Sequence, residues 1–139
     1  MTATHNTEGR RTRPRTSGAL WLLYLCDAGL LVASGLIHLH LWDIFYRHVE
    51  TMGPLFLVQV AACLIAAVLL LAFRSLIVVL GSAALMAGTI VGFVLARTVG
   101  LFGFHLAFTS GLAITVLVIE AAAVVLLGIT AVLMPKAAG

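Results

Sequence analysis

Four long apolar runs, at residues 18–42, 54–73, 75–96 and 106–134, decide what this chain can fold into. A helix that crosses a bilayer needs roughly 20 predominantly apolar residues, because every backbone N–H and C=O must be satisfied within the hydrocarbon. Four such runs and their short connections take up nearly all of the 139 residues and leave no room for a soluble domain. Composition agrees, since only 9% of residues are charged, against about 25% in soluble domains. The expected fold is an all-α, transmembrane four-helix bundle, antiparallel and up-down, in the bilayer of the cell (inner) membrane.

Residues 1–17 read as a disordered basic tail, with Arg10, Arg11, Arg13 and Arg15 among Thr and Pro. A signal peptide is a poor fit, because its apolar core is about 7–15 residues long, whereas this run continues to Trp42. The first helix is therefore expected to be retained. The net charge of +3 comes largely from the tail, which makes it an orientation signal rather than a nucleic-acid surface. An N-terminus on the cytoplasmic side puts Arg10, Arg11, Arg13, Arg15, Arg74 and Lys136 inside, leaving Arg47 and Arg97 outside. Both termini are then cytoplasmic, and the segments 38–53 and 97–105 share the outer face. Cys26 and Cys63 lie inside apolar runs, where neither a disulfide framework nor a CxxC site is indicated.

Within the first run the polar residues share one face. At about 100° per residue, Ser34 and His38 each fall within roughly 20° of Asp27, with Tyr24 nearby. His40 points about 200° away from His38, so the His-Leu-His sequence is not a ready-made chelate. Trp21 and Tyr24 at one end, with Trp42 and Tyr46 at the other, suggest two interfacial aromatic belts. Gly53-Pro54 marks a break before the second helix, and Gln59 and Cys63 share a face of that helix. Arg74-Ser75 is the whole polar interruption before the third run, which predicts a tight hairpin. Ala84, Gly88, Gly92 and Ala96 form a four-residue ridge of small side chains suited to close helix packing.

Two constellations could carry chemistry. His38, His40, His48 and His105, with Asp43 and Glu50, converge on the outer face. His38, His105, His48 and Glu50 are the candidate ligands for a divalent metal, or His38 and His105 for a b-type haem, although no spacing matches a specific motif and a site without a cofactor is the simpler expectation. Asp27 and Glu120 are carboxylates at membrane depth, which by default marks function. They are expected near the midplane and within reach of each other, as a proton relay or as interhelical hydrogen bonds that include Gln59 and Ser34.

Gly53-Pro-Leu-Phe-Leu57, Gly100-Leu-Phe-Gly-Phe-His105 and the His38/Trp42/Tyr46 segment resemble small uncharacterised four-helix membrane proteins of high-GC Gram-positive bacteria. The chain is also similar in size and layout to DoxX-like proteins. The resemblance implies four spans and no activity, and carries over no functional residue. The reading reached from the sequence is a non-enzymatic structural or accessory subunit, partnered by the bilayer and by a larger membrane complex or a second copy. An outer-face metal or haem redox protein and a small proton-coupled carrier using Asp27 and Glu120 stand as alternatives.

Overall fold

The computed structural model describes residues 16–106 and 110–135. Residues 1–15 of the basic tail and Lys136 lie outside them, while Thr16 and Ser17, assigned above to the tail, already belong to the first helix. Four helices follow in order: α1 (Thr16–Leu41), α2 (Met52–Phe73), α3 (Leu76–Thr98) and α4 (Gly111–Leu133). A π-helical turn, Trp42–Tyr46, continues α1. All four helices are long and apolar enough to cross a membrane, the first as the continuous stretch Gly18–Tyr46.

The helix boundaries have local causes. Ser75 caps α3, its hydroxyl accepting from the N–H of Val78 at 3.4 Å. Ser110 caps α4 in the same way, accepting from Ala113 N–H at 3.1 Å. Such caps satisfy N–H groups that the first turn leaves free. Arg74 ends α2 in the left-handed region at φ 45°, and its guanidinium lies 4.6 Å from the ring centre of Trp21. The hairpin predicted at Arg74-Ser75 is thus present.

Among the described residues, α1 packs on α2 and α4, and α3 packs on α2 and α4. The diagonal pairs do not meet, so the helices form a four-sided ring, with α2–α3 its loosest side. Neighbouring helices run in opposite senses: Asp27 and Ser34 of α1 meet Thr130 and Glu120 of α4, and Gly35 and His38 meet Cys63 and Phe56 of α2. The buried residues of α1, Tyr24, Asp27, Ala28, Leu31, Ser34, Gly35, His38 and Leu41, fall on one face with a spacing of three or four positions. That stripe faces the bundle interior and includes the polar face foreseen in the sequence.

Among the helical glycines, the one that lets two helices approach closely is not in the ridge of α3 but at Gly35, where an added Cβ would stand 3.1 Å from the Cβ of Cys63. At Gly88 and Gly92 an added Cβ would meet nothing within 4 Å. The ridge expected to draw helices together instead leaves space between them.

Candidate functional site: an intramembrane cavity with a His–Glu pair

That space is a cavity of about 470 Å³, within the usual range for small-molecule sites. It occupies the end of the bundle where α1 finishes and α4 begins. Ala84, Gly88, Gly92 and Ala96 form its α3 wall. Leu55 and Val58 of α2, with Ala84 and Gly88 of α3, both line the cavity and are exposed. The cavity therefore opens sideways, along the loosest edge of the ring.

The loop after α3 closes one end. Leu101 and Phe104 exchange backbone hydrogen bonds at 2.8 Å, and the two residues between them have positive φ, 52° at Phe102 and 78° at Gly103. This is the twist of a type I′ turn. Gly100 has φ 86°, and the His105 ring sits where its Cβ would be, 2.7 Å away at Nε2. Leu101, Phe104 and Leu106 reach the cavity. His105 is exposed and is not among the residues that line it.

The polar lining is sparse, and its hydrogen bonds define it. His38 Nδ1 lies 2.9 Å from the Ser34 carbonyl. A carbonyl can only accept, so Nδ1 carries a proton and Nε2 is turned toward Glu120, 3.6 Å from Oε1. Ser34 Oγ donates to the same Oε1 at 3.3 Å. At 3.6 Å Nε2 and Oε1 do not hydrogen-bond directly, and with one proton on either partner the pair is net neutral. Both side chains are buried. On the α2–α3 wall, Thr89 donates its hydroxyl proton to the Leu85 carbonyl at 2.9 Å, so its oxygen accepts from Gln59 Nε2 at 2.7 Å. This orients the Gln59 amide and leaves Oε1 without a protein partner among the described residues.

Aromatic rings complete the site. Tyr46 stacks on Phe56 at 4.4 Å between ring centres and meets Phe104 edge-on at 5.8 Å. Phe56 also lies 5.3 Å from the His38 ring. Tyr46 is brought here by the π-helical turn, in which Arg47 N–H bonds to Trp42 O at 2.8 Å. The extra residue in such a turn re-aims the side chains that follow.

Several sequence expectations change. Asp27 and Glu120 do not share a proton. Asp27 Oδ2 lies 2.6 Å from the Thr130 hydroxyl, whereas Glu120 is level with Ser34 seven residues further along α1, about 10 Å away at 1.5 Å per residue. Thr130 stands only three residues before the end of α4 at Leu133, so Asp27 lies about one turn inside the bundle end, not at its midplane. Thr130 Oγ1 is also 3.0 Å from the Leu126 carbonyl. One hydroxyl proton cannot serve both neighbours, and the arrangement closes when the Asp27 carboxyl supplies a second proton. Its Oδ1 has no hydrogen-bond partner.

Nor do the four candidate metal or haem ligands assemble. Among the described residues, no three His, Cys, Asp or Glu side chains come together to hold a metal ion. His38 faces Glu120 rather than His105. His48 accepts from Arg47 Nε at 3.0 Å on the surface, and Glu50 and His40 are exposed. Asp43 pairs with Arg47 at 3.4 Å, also exposed. The aromatic belts are altered too. Tyr24 is buried and donates to the Arg74 carbonyl at 3.4 Å, and Tyr46 turns inward. Thr130, Thr89, Phe56 and Phe104 were not foreseen, because a lone Thr or Phe in an apolar run has no signal until its neighbour is known. No family model, curated protein or solved structure matches the chain.

Proposed function

We propose that this is a multi-pass membrane protein that binds a small, largely apolar molecule taken from the bilayer. The molecule enters between α2 and α3 and rests with its polar group at the His38–Glu120 pair. The observation that supports this reading is the side-opening cavity itself, apolar on most of its wall and polar at one end. In a bundle assembled in lipid, packing is what holds helices together, so space kept open by Gly88 and Gly92 runs against stability and calls for an occupant. The resemblance to small four-helix membrane proteins supplies no activity, so the cavity alone carries the reading. The charge distribution along the sequence supports an up-down bundle with both termini cytoplasmic in the cell membrane, which a C-terminal reporter fusion would test.

The decisive experiment fills the cavity. A leucine at Gly88 has room on the backbone side and projects into the space. In nanodiscs, the wild-type protein is expected to bind 1-naphthylmethanol above the level taken up by empty discs, and the Gly88→Leu variant to lose that increment. Equal binding by both proteins would remove the cavity as the site.

A further inference from the structure

We infer that the ligand class is a hydrophobic amine, bound as its ammonium form with the nitrogen against Glu120. This rests on the binding role argued above and adds the chemistry of the ligand. The polar groups facing the cavity are almost all acceptors. Gln59 has its amide nitrogen committed to Thr89, so it offers Oε1. Thr89 has its proton committed to Leu85. His38 has Nδ1 committed to the Ser34 carbonyl, so it offers Nε2. Glu120 offers carboxyl oxygen, and no Lys or Arg is among the residues lining the cavity. Among the described lining residues, what remains to donate is the Tyr46 hydroxyl and any proton carried by the His38–Glu120 pair.

A wall so rich in acceptors, with no Lys or Arg in it, disfavours a carboxylate or phosphate, which would bring further lone pairs into a buried site. It suits a group with several N–H donors. The stacked Tyr46 and Phe56 rings, with Phe104 edge-on beside them, add π faces of the kind that attract a cation.

The charge balance closes without any further reactant. With one proton on the His38–Glu120 pair, the cavity starts net neutral. A neutral amine arriving from the lipid takes that proton on its nitrogen lone pair. An N–H bond forms as the O–H bond of Glu120, or the Nε2–H bond of His38, breaks. What remains is an ammonium beside a carboxylate and a neutral imidazole, so the cavity is net neutral before and after.

The test compares 1-naphthylmethylamine with its near-isostere 1-naphthylmethanol, by calorimetry on the full chain in nanodiscs. The amine is expected to bind at least tenfold more tightly than the alcohol. Glu120→Gln should bring the amine to the affinity of the alcohol. Gln59→Leu, which removes one acceptor and keeps the carboxyl group, should lower amine affinity several-fold, and it serves alone if the Glu120 variant does not fold. Equal affinities of amine and alcohol in the wild type, with both lost in Gly88→Leu, would overturn the amine assignment and leave the cavity role intact. Binding of both probes unchanged in Gly88→Leu would overturn the cavity role, and the amine assignment with it.

Discussion

Removing the hydroxyl of Thr130 should uncouple α1 from α4 at one point whose cost follows from the contact. Thr130→Val keeps the shape of the side chain and deletes the one hydrogen-bond partner that a wholly buried carboxyl group has among the described residues, where its other oxygen has none. Interhelical hydrogen bonds in membrane bundles average about 0.6 kcal/mol and reach about 1.7, while stranding a buried polar group costs about 1–3 kcal/mol. The 2.6 Å separation and full burial place this contact at the upper end. The expected loss is about 2 kcal/mol, roughly 30-fold in the folding constant. The control is Asp27→Leu, which removes the buried carboxyl group and leaves Thr130 bonded to the Leu126 carbonyl. In that background Thr130→Val should cost under about 0.5 kcal/mol, a coupling of about 1.5 kcal/mol between the two sites. SDS titration of the micellar protein reads this through tryptophan fluorescence, because Trp21 lies against Arg74 near this end of the bundle. The same cost in both backgrounds would mean that the Asp27–Thr130 contact does not hold α1 to α4.

The remaining predictions use the same titration unless stated. Gly88→Leu should leave stability unchanged or raise it by up to about 1 kcal/mol, since leucine is the better helix former and an added Cβ meets nothing within 4 Å; a loss would show that the wall has no room. Gly35→Val should cost about 1–3 kcal/mol by forcing α1 from α2 at the Cys63 contact, and part of that loss should return when Cys63→Ala is added. Gly100→Ala places a side chain at φ 86° and against the His105 ring, costing at least about 1–2 kcal/mol locally. His105→Ala should relieve only the steric share of that cost, as read by proteolysis of the segment that follows α3. Ser110→Ala should cost about 1 kcal/mol through the lost cap of α4.

Hydropathy made the four spans legible, and the helical phase of Asp27, Ser34 and His38 made the polar part of the buried stripe of α1 legible, because both depend only on spacing along one helix. The relation between Asp27 and Glu120 was misjudged through one boundary. Residues 106–110 are mostly apolar, so the fourth helix was expected from 106. It begins instead at Gly111, behind the Ser110 cap. Glu120 is thus nine residues into its helix rather than fourteen, which raises it to the level of His38 and away from Asp27. The glycine ridge was legible as a pattern but not in its effect. Small residues permit close approach, and whether the neighbouring helix accepts depends on the bulk opposite. At Gly35 the opposite residue is the slender Cys63; at Gly88 it is a gap. The inward turn of Tyr46 was hidden because regular helical phase stops at Trp42, and no residue type announces a π-helical turn.

The pairing of α2 with α3 has a mechanical consequence. The two helices are tied at one end by a connection of two residues, Arg74 and Ser75, and beside the cavity the Gln59–Thr89 hydrogen bond is the one side-chain hydrogen bond between them among the described residues. They form a clip that can widen only away from its tie. If the bundle spans a bilayer, most of the cavity falls in the half away from the tie, and its side opening reaches back to Ala84 in the first half of α3. A lipid-borne ligand would then be drawn mainly from the leaflet away from the tie.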